Sequence, residues 1–464
     1  MRMKVAKYIS EFFVKQGVTD MFMITGGAAM HLNDAFGHQE GLKITYNHHE
    51  QACTIAAEGY TRQTGKIAPV CVTGGPGGTN AITGVFGAYV DSIPMFVVTG
   101  QAKRETTVWS TNLPLRQLGD QEVNITSAVS TMTKYAKMIT DPMSIRKEVE
   151  KAWFLMLNGR PGPVWLDIPG DVASTFIETD DLEGFDKQGY IDEHWASFNQ
   201  DNPVYDEQYT KDVLAKIKEA KRPVILAGTA IRHANQQNEF IKCIEKLGIP
   251  VVTAWDAHDI IWDEHPLYCG RPGTVGTRAG NFIVQNADLL IVLGCRMNIR
   301  MIGYNFGDFG KNAYKMVVDI DAAELNKPTV KVDYPVHADL RDFFKSVNEA
   351  EYEKNDSHKE WVDWCRQLDK KYPATLPEDK DGLNPYVFTT KLFEELNEDD
   401  SVVCSNGAAC VITFQAADIK KGQRLYTNSG CAAMGYGLPA AVGASVSEPD
   451  KRIICVEGDG SFIP

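Results

Sequence analysis

Thr73-Gly-Gly-Pro-Gly-Gly-Thr-Asn80 joins an apolar segment, which starts at Ala68, to a helix predicted from Thr79. A strand that runs into a glycine-rich turn and then into a helix is typical of α/β folds. Glycines allow positive φ and close approach to a ligand, and the first N–H groups of a helix can bind an anion. The turn lacks the Lys of a Walker loop, and Asn80 breaks the dinucleotide pattern Gly-x-Gly-x-x-Gly. By itself it fits a structural turn and a ligand-binding loop equally well.

The sequence on both sides of this turn alternates between strand and helix patterns. We predict a helix over residues 51–63 and strands at Met21 to Ile24, Ile44 to Tyr46, Met95 to Thr99 and Val164 to Ile168. Strands that alternate with helices favour a parallel sheet with helices on both faces. Residues 1–175 are therefore predicted to form a first doubly wound α/β domain.

Two more α/β domains are predicted downstream. An acidic linker over 176–202 precedes a second domain at 203–345, and a charged linker over 346–382 precedes a third at 383–464. Strands of the second domain are predicted at Pro223 to Ala227, Val251 to Thr253, Leu289 to Leu293 and Met316 to Ile320. The third domain has only about 80 residues, against the more usual 100 to 150. We therefore expect the third parallel-sheet domain to be truncated.

Composition excludes several classes of protein. Asp and Glu number 61 against 47 Lys and Arg, and the net charge of −14 disfavours nucleic acid and anionic membrane surfaces as partners. No apolar run reaches the ~18 residues of a membrane span. The ten cysteines are scattered without a Cys-x-x-Cys pair, as expected of buried thiols in a reducing compartment. The sequence therefore predicts a cytoplasmic protein.

Two short motifs could add chemistry to the glycine turn. His48-His49-Glu50-Gln51 lies where a strand meets a helix, and Gly458-Asp459-Gly460-Ser461 follows another strand. Glu50 is either a reactive carboxylate at the edge of a sheet or a favourable charge in the first turn of a helix. Asp459 has the chemistry of a Mg²⁺ ligand beside a phosphate, although a plain Asp-Gly turn has the same letters.

Taken together, in this order, the three motifs resemble the thiamine-diphosphate enzymes of the acetohydroxyacid (acetolactate) synthase type. The resemblance covers nearly the whole chain. Further matching segments are Gly26-Gly27-Ala28, Ala56-Ala57-Glu58-Gly59-Tyr60, Asp91-Ser92-Ile93-Pro94, Gly100-Gln101, Gln121-Glu122, Arg160-Pro161-Gly162-Pro163-Val164, Asp167-Ile168-Pro169 and Gly435-Tyr436-Gly437-Leu438-Pro439.

This resemblance implies thiamine diphosphate and Mg²⁺ as cofactors. Glu50 would hydrogen-bond the aminopyrimidine ring and control its protonation, Met434 would bend the cofactor, and Asp459 would hold the metal.

Gly26 and Gly27 would let the backbone approach the substrate. Gln121 would reach the site from a partner subunit, in a homodimer or homotetramer with active sites between chains. The other residues implied to bind the cofactor are Pro76, Asn80, Gly407, Gly435, Gly458, Gly460 and Ser461.

The middle domain resembles the flavin-associated domain of the same family. The resemblance makes FAD a candidate cofactor, with Gly228, Arg296 and Asp319 as its binding residues. A surface role for the arginine is an open alternative. A flavin here would be structural, because carboligation moves no net electrons.

The function implied is that of a carboligase, which decarboxylates a 2-keto acid such as pyruvate and transfers the acyl unit to a second carbonyl. Asp120 stands where the family usually has Phe, and Ala408-Ala409 replace a frequent Gln-His pair. These departures leave the acceptor open, with a sugar ketone or aldehyde among the candidates. Two alternatives are a non-oxidative 2-keto acid decarboxylase and an inactive truncated protein that acts only in binding or assembly.

Overall fold

The computed structural model describes residues 1–375 and 383–462. Within these residues the chain forms two compact units: one contains 1–195, 428–455 and the residues from 459, and the other contains 196–427 and 456–458. Residues of the predicted third domain, 383–464, therefore contribute to both units. Positions 376–382 of the predicted second linker lie outside the described residues, as do 463–464.

Strands and helices alternate along the first 200 residues. In chain order they are β1 (Arg2–Lys4), α1 (Val5–Lys15), β2 (Asp20–Met23), α2 (Met30–Gly37), β3 (Lys43–Tyr46), α3 (Glu50–Thr64), β4 (Val70–Val72), α4 (Pro76–Val90), β5 (Phe96–Gln101), α5 (Ile125–Val129), β6 (Tyr135–Met138), α6 (Ile145–Leu157), β7 (Val164–Pro169), α7 (Gly170–Ser174), β8 (Phe176–Glu178), α8 (Lys187–Glu193) and α9 (Trp195–Asp201).

A six-stranded sheet forms the centre of the first unit. Its order is β3-β2-β4-β5-β7-β6, and every neighbouring pair is parallel. All residues of β5 and β7 are buried, as expected of central strands covered on both faces. Apolar side chains form two clusters, one with Phe13 and Phe96 and the other with Phe22 and Trp165. The α/β prediction is confirmed.

The remaining elements follow the same alternation. They are α10 (Glu207–Glu219), β9 (Pro223–Ala227), α11 (Ala230–His233), α12 (Gln237–Leu247), β10 (Val251–Thr253), α13 (Arg278–Asn286), β11 (Leu289–Leu293), α14 (Ile299–Ile302), β12 (Tyr314–Asp319), α15 (Ala322–Asn326), β13 (Tyr334–His337), α16 (Leu340–Glu349), α17 (Lys359–Lys371), α18 (Pro385–Glu395), β14 (Ser401–Cys404), α19 (Ala408–Ala416), β15 (Arg424–Tyr426), α20 (Gly437–Ser447) and β16 (Ile453–Val456). A five-stranded parallel sheet of the second unit has the order β10-β9-β11-β12-β13, and β14 pairs with β15 in parallel.

The two predicted linkers contain helices. In the stretch 176–202 the structure has α8 and α9, neither of which has a buried residue. In the stretch 346–382 it has α17, which buries Trp361, Cys365 and Leu368. These three side chains lie at helical spacing on one face, and the surrounding charges hid that period in the sequence.

Helices α3 and α20 pack closely inside the first unit. A Cβ atom placed on Gly59 would lie 2.3 Å from the carbonyl oxygen of Ala440, and one placed on Gly443 would lie 1.9 Å from that of Ala56. Real side chains do not fit at such distances, so glycine is required for this approach of the two backbones. The helix that begins at Glu50 is thus held against the helix that follows Met434.

The helices and the cysteines bear on whether the chain has a membrane span or a disulfide. No helix in the described part of the chain is long and apolar enough to cross a membrane. All ten cysteines are free, eight of them buried and two partly buried.

Candidate active site

Three neighbouring strands of the six-stranded sheet are followed by predicted site residues. In the order β3-β2-β4, the first strand is followed by Glu50, the second by Gly26, and the third by the glycine turn at 74–78. Because parallel strands end at the same edge of a sheet, these residues share one edge. The Glu50 motif, Gly26 and the glycine turn, which are separate segments of the sequence, therefore meet at one edge of the folded sheet.

Glu50 is the first residue of α3. The helix is capped by His49, whose Nδ1 accepts a hydrogen bond from the backbone N–H of Gln51 at 3.1 Å. Glu50 is half-buried, and its Oε2 accepts a hydrogen bond from Asn80 Nδ2 at 3.0 Å. A carboxylate at a helix N-terminus is favoured by the helix dipole, and the bond to Asn80 fixes it beside the glycine turn.

Three glycines of this edge, Gly26, Gly75 and Gly77, have no room for a side chain. A Cβ atom on Gly26 would lie 2.4 Å from Thr73 Cβ, and one on Gly77 would lie 2.8 Å from Thr73 Cγ2 and 3.4 Å from Glu50 Oε1. Gly75 has φ +62°, and its Cβ would lie 2.1 Å from the carbonyl oxygen of Gln121. Glycine is therefore required at these positions. Within the turn Pro76 is exposed, whereas the glycines at 74, 75, 77 and 78 are buried.

Gln121 lies next to this turn in an unusual backbone conformation. Its φ is +57°, which is uncommon for a residue other than glycine, and the residue is exposed. Gly27 and Pro76 are exposed at the same edge, with Pro76 at the first position of α4. Strained backbone of this kind often occurs at functional sites.

A second group of predicted residues lies elsewhere in the first unit. Met434 is 56% exposed, and its Cε lies 3.4 Å from the position that a Cβ on Gly460 would take. Asp459 is exposed, and its Oδ1 accepts a hydrogen bond from the N–H of Gly460 at 2.9 Å. Gly435 has φ +81°, and Ser461 is buried. In the described residues no three His, Cys, Asp or Glu side chains form a metal-binding group.

The predicted flavin-binding residues belong to the second unit. Gly228, after β9, is so close to Gly294, after β11, that a Cβ would lie 2.1 Å from the Gly294 carbonyl oxygen. Asp319 ends β12 and accepts a hydrogen bond from the N–H of Asp321 at 2.9 Å. Arg296 is half-buried and follows Gly294 by two residues. The strands β9, β11 and β12 are neighbours, so these residues share the kind of sheet edge at which α/β proteins bind nucleotides.

Two of the glycines predicted to bind the thiamine cofactor also fall in the second unit. Gly407 has φ +61° and precedes α19, and Gly458 is half-buried after β16. A Cβ atom on either glycine would meet no atom within 4 Å. The positive φ of residue 407, rather than a close contact with a neighbouring atom, explains why a glycine stands there.

Comparisons with known proteins identify the family. Models of thiamine pyrophosphate enzymes match the chain three times: the N-terminal TPP-binding domain at residues 3–127, the central domain at 210–347 and the C-terminal TPP-binding domain at 405–463. The acetolactate synthase large subunit of Lactococcus lactis is 33% identical over 447 residues, which cover 96% of this chain and 74% of the relative. The chain belongs to the thiamine pyrophosphate enzyme family.

Two further relatives show the same range of similarity. The large subunit of acetolactate synthase isozyme 1 from Escherichia coli is 31% identical over 464 residues, covering 99% of this chain and 77% of the relative. The chloroplastic acetolactate synthase of Arabidopsis thaliana is 29% identical over 467 residues, which cover 99% of this chain and 66% of the relative. The family resemblance inferred from the sequence motifs is confirmed.

A buried carboxylate lies inside the sheet of this thiamine pyrophosphate enzyme. Asp167, on β7, accepts hydrogen bonds from Thr99 Oγ1 at 2.7 Å and from Gln101 Nε2 at 2.9 Å. Gln101 Nε2 also donates to the carbonyl oxygen of Val123 at 2.9 Å, two residues after Gln121. The sequence motifs contained Asp167 and Gln101, but only the fold shows that they bond to each other.

Burial changes the acidity of Asp167. It raises the pKa of the carboxyl group to about 7, and the two hydrogen bonds only partly oppose this effect. Asp167 therefore keeps its proton in the folded chain at pH values where an unfolded chain, with a pKa of about 3.9, has lost it. Because the folded state then binds more protons, stability falls as the pH rises.

We expect the Asp167→Asn variant to remove this pH dependence. Between about pH 4 and 7 the free energy of unfolding of the wild type should fall, relative to the variant, by up to about 1.4 kcal/mol per pH unit, and level off above about pH 7. Urea unfolding of both proteins at about pH 4.5, 6 and 8 measures the difference. A difference that stays constant with pH would contradict the prediction.

Proposed function

We propose that this chain is a thiamine-diphosphate-dependent carboligase, which decarboxylates a 2-keto acid such as pyruvate and transfers the acyl unit to a second carbonyl. The observation that carries the proposal is the Glu50 carboxylate, bonded to Asn80 and lying beside a glycine turn, in a chain of this family. A carboxylate in this place can hold or pass a proton. The acetolactate synthase names of the relatives support the same reaction class.

The residues around Glu50 fit the cofactor. Thiamine diphosphate, when bound, supplies the carbanion chemistry that decarboxylation and acyl transfer require. Glu50 would hydrogen-bond a nitrogen of the aminopyrimidine ring and control its protonation, and Asn80 would orient the carboxylate. Gly26 and Gly27 leave the backbone open to the substrate, and a side chain at Gly26 would collide with Thr73.

The second group of residues fits the diphosphate end of the cofactor. Asp459 would bind Mg²⁺ through its carboxylate, because a hard cation on a diphosphate needs only one or two protein oxygens. The exposed Met434 side chain would support the bent cofactor by apolar contact. The remaining residues that we propose for the cofactor, on the family resemblance alone, are Pro76, Gly407, Gly435, Gly458, Gly460 and Ser461.

We propose that active sites lie between two copies of this chain, in a homodimer or homotetramer. Gln121 is exposed beside the glycine turn, and the loop before it also exposes Trp109 and Leu113, by 59% and 57%. Exposed apolar side chains next to a site are typical of an interface. Gln121 would then contribute to the site of the partner subunit.

FAD is the third proposed cofactor, at the edge formed by β9, β11 and β12. Gly228 and Gly294 bring two chain segments together without side chains. The diphosphate would lie at this edge, and the Asp319 carboxylate would accept hydrogen bonds from ribose hydroxyls. Arg296 would pair with the diphosphate. We also propose a cytoplasmic location, which the ten free cysteines support.

The product of the reaction tests the proposed function. The chain, supplied with thiamine diphosphate, Mg²⁺ and pyruvate, is expected to form a carbon–carbon coupled ketol. Free aldehyde as the main product would instead show a decarboxylase. If calorimetry detects no binding of thiamine diphosphate with Mg²⁺, the chain has only a binding or assembly role. Adding a sugar ketone or an aldehyde in parallel reactions tests the acceptor, because Asp120 introduces a charge beside Gln121.

A further inference from the structure

The segment 104–122, which we call the Gln121 loop, connects β5 to the region of α5 without a long helix or strand. It carries only two short turns of 3₁₀ helix, at Arg104–Thr106 and Val108–Ser110. Four of its apolar side chains are 42% to 59% exposed. Such a loop has few buried apolar contacts of its own, so its conformation depends on specific hydrogen bonds.

Glu122 provides three of these hydrogen bonds. Its Oε1 accepts from the backbone N–H of Val108 at 2.5 Å, and its Oε2 accepts from the N–H groups of Leu118 and Gly119 at 3.0 and 3.1 Å. Both carboxylate oxygens therefore bind the backbone of the same loop, across as many as 14 residues. Bonds to an ionised acceptor are roughly twice as strong as neutral ones.

Two further hydrogen bonds hold the backbone at the C-terminal end of the Gln121 loop. Gln101, itself bonded to Asp167, donates to the carbonyl oxygen of Val123 at 2.9 Å. Gln117 Nε2 donates to the carbonyl oxygen of Glu122 at 3.1 Å. Gln121 thus lies just before two anchored residues, with positive φ and with its carbonyl group against Gly75.

We infer that Glu122 is a positioning residue, which closes the Gln121 loop and so holds Gln121 in place for contact with the substrate. This inference rests on the proposed function, in which Gln121 reaches the substrate. In its three hydrogen bonds the Glu122 side chain contacts only backbone N–H groups of the loop. Its effect is to raise the fraction of molecules in which Gln121 is already in place.

This role has a kinetic signature. If a substrate binds only to the closed loop, the apparent dissociation constant equals the intrinsic constant divided by the closed fraction. Opening the loop therefore raises KM, while saturating substrate closes it again and restores kcat. A loss of folded protein has the opposite pattern, because it lowers the apparent kcat and leaves KM unchanged.

The test compares Glu122→Ala and Glu122→Gln with the control Glu105→Gln, which removes an exposed carboxylate from the same loop. We expect KM for the 2-keto acid to rise about tenfold in Glu122→Ala, with kcat within about twofold of the wild type. Glu122→Gln keeps one acceptor oxygen and should rescue part of the effect. The control should match the wild type.

Hydrogen exchange supplies a second readout, which does not depend on activity. In Glu122→Ala the amide protons of Val108, Leu118 and Gly119 should lose protection, while those of the central strand β5 keep theirs. Unchanged exchange at the three amides would overturn the inference, and so would a fall in kcat at constant KM. If the wild type forms no coupled product, the proposed function fails, and the exchange data alone then decide whether Glu122 holds the loop.

Discussion

Glu50→Gln is expected to abolish the exchange of the C2 proton of bound thiamine diphosphate for deuterium and to lower the rate of ketol formation by about 10² to 10⁴ fold. The amide cannot take or give the proton that, in the proposed role, the Glu50 carboxylate would exchange with the aminopyrimidine ring. It keeps an oxygen that can still accept the hydrogen bond from Asn80, which is 3.0 Å long in the wild type. The variant therefore changes the acid–base chemistry with little change in shape.

The measurement has a matched control in Glu40→Gln. Glu40 is an exposed residue between α2 and β3, and its replacement removes the same charge away from the glycine turn. Cofactor binding should be retained in both variants, as calorimetry with thiamine diphosphate and Mg²⁺ would show. Proton exchange at the wild-type rate in Glu50→Gln would refute the role assigned to the carboxylate.

Much of the fold follows from local sequence patterns. Strands β9, β10 and β11 have the predicted bounds, because each is a short apolar run between clear turn or helix signals. Strand β13 was not predicted, since Tyr334–His337 is half polar and lies at the edge of its sheet. Helix α4 begins at Pro76, three residues before the predicted start, because proline is favoured in the first turn of a helix.

The candidate site shows what local patterns cannot provide. Glu50 and Asn80 were found as separate motifs, and their hydrogen bond spans 30 residues of chain. It depends on the order β3-β2-β4, which no periodicity in the sequence specifies. The bonds of Glu122 to the loop backbone are invisible in the sequence for the same reason, although Gln121-Glu122 was recognised as a family motif.

Breaking a buried ion pair in the first unit has the largest effect on stability that we expect. Arg62 and Glu58 lie one turn apart on α3 with side chains only 5% and 0% exposed, and Arg62 Nε donates to Glu58 Oε1 at 2.7 Å. The same guanidinium donates to Asp91 at 2.6 Å, and Asn428 Nδ2 donates to Glu58 Oε1 at 2.8 Å. The pair therefore joins α3 to the end of α4 and to the segment before α20.

Arg62→Met should lower the free energy of unfolding by about 3 to 5 kcal/mol, because it leaves a buried carboxylate without its cation. Replacing the carboxylate as well, in the double variant Glu58→Gln with Arg62→Met, should recover a large part of this loss. Arg146→Met is the matched control: its partner Glu150 is also one helical turn away, but the two side chains are 43% and 30% exposed. Because this pair is exposed to solvent, we expect Arg146→Met to lower the free energy of unfolding by less than about 1 kcal/mol. Urea unfolding of the wild type and the three variants measures these differences.

The pH dependence separates the loss of a charge partner from a simple packing defect. Burial already raises the pKa of Glu58, and Arg62 opposes that effect. Without the arginine the pKa of the folded state rises further above that of the unfolded chain, so the variant's stability falls as the pH increases. The deficit of Arg62→Met should therefore be smaller at about pH 5 than at about pH 8, whereas a deficit that is equal at both pH values would indicate lost packing. A deficit no larger than that of Arg146→Met would contradict the assignment of Glu58 and Arg62 as a buried ion pair.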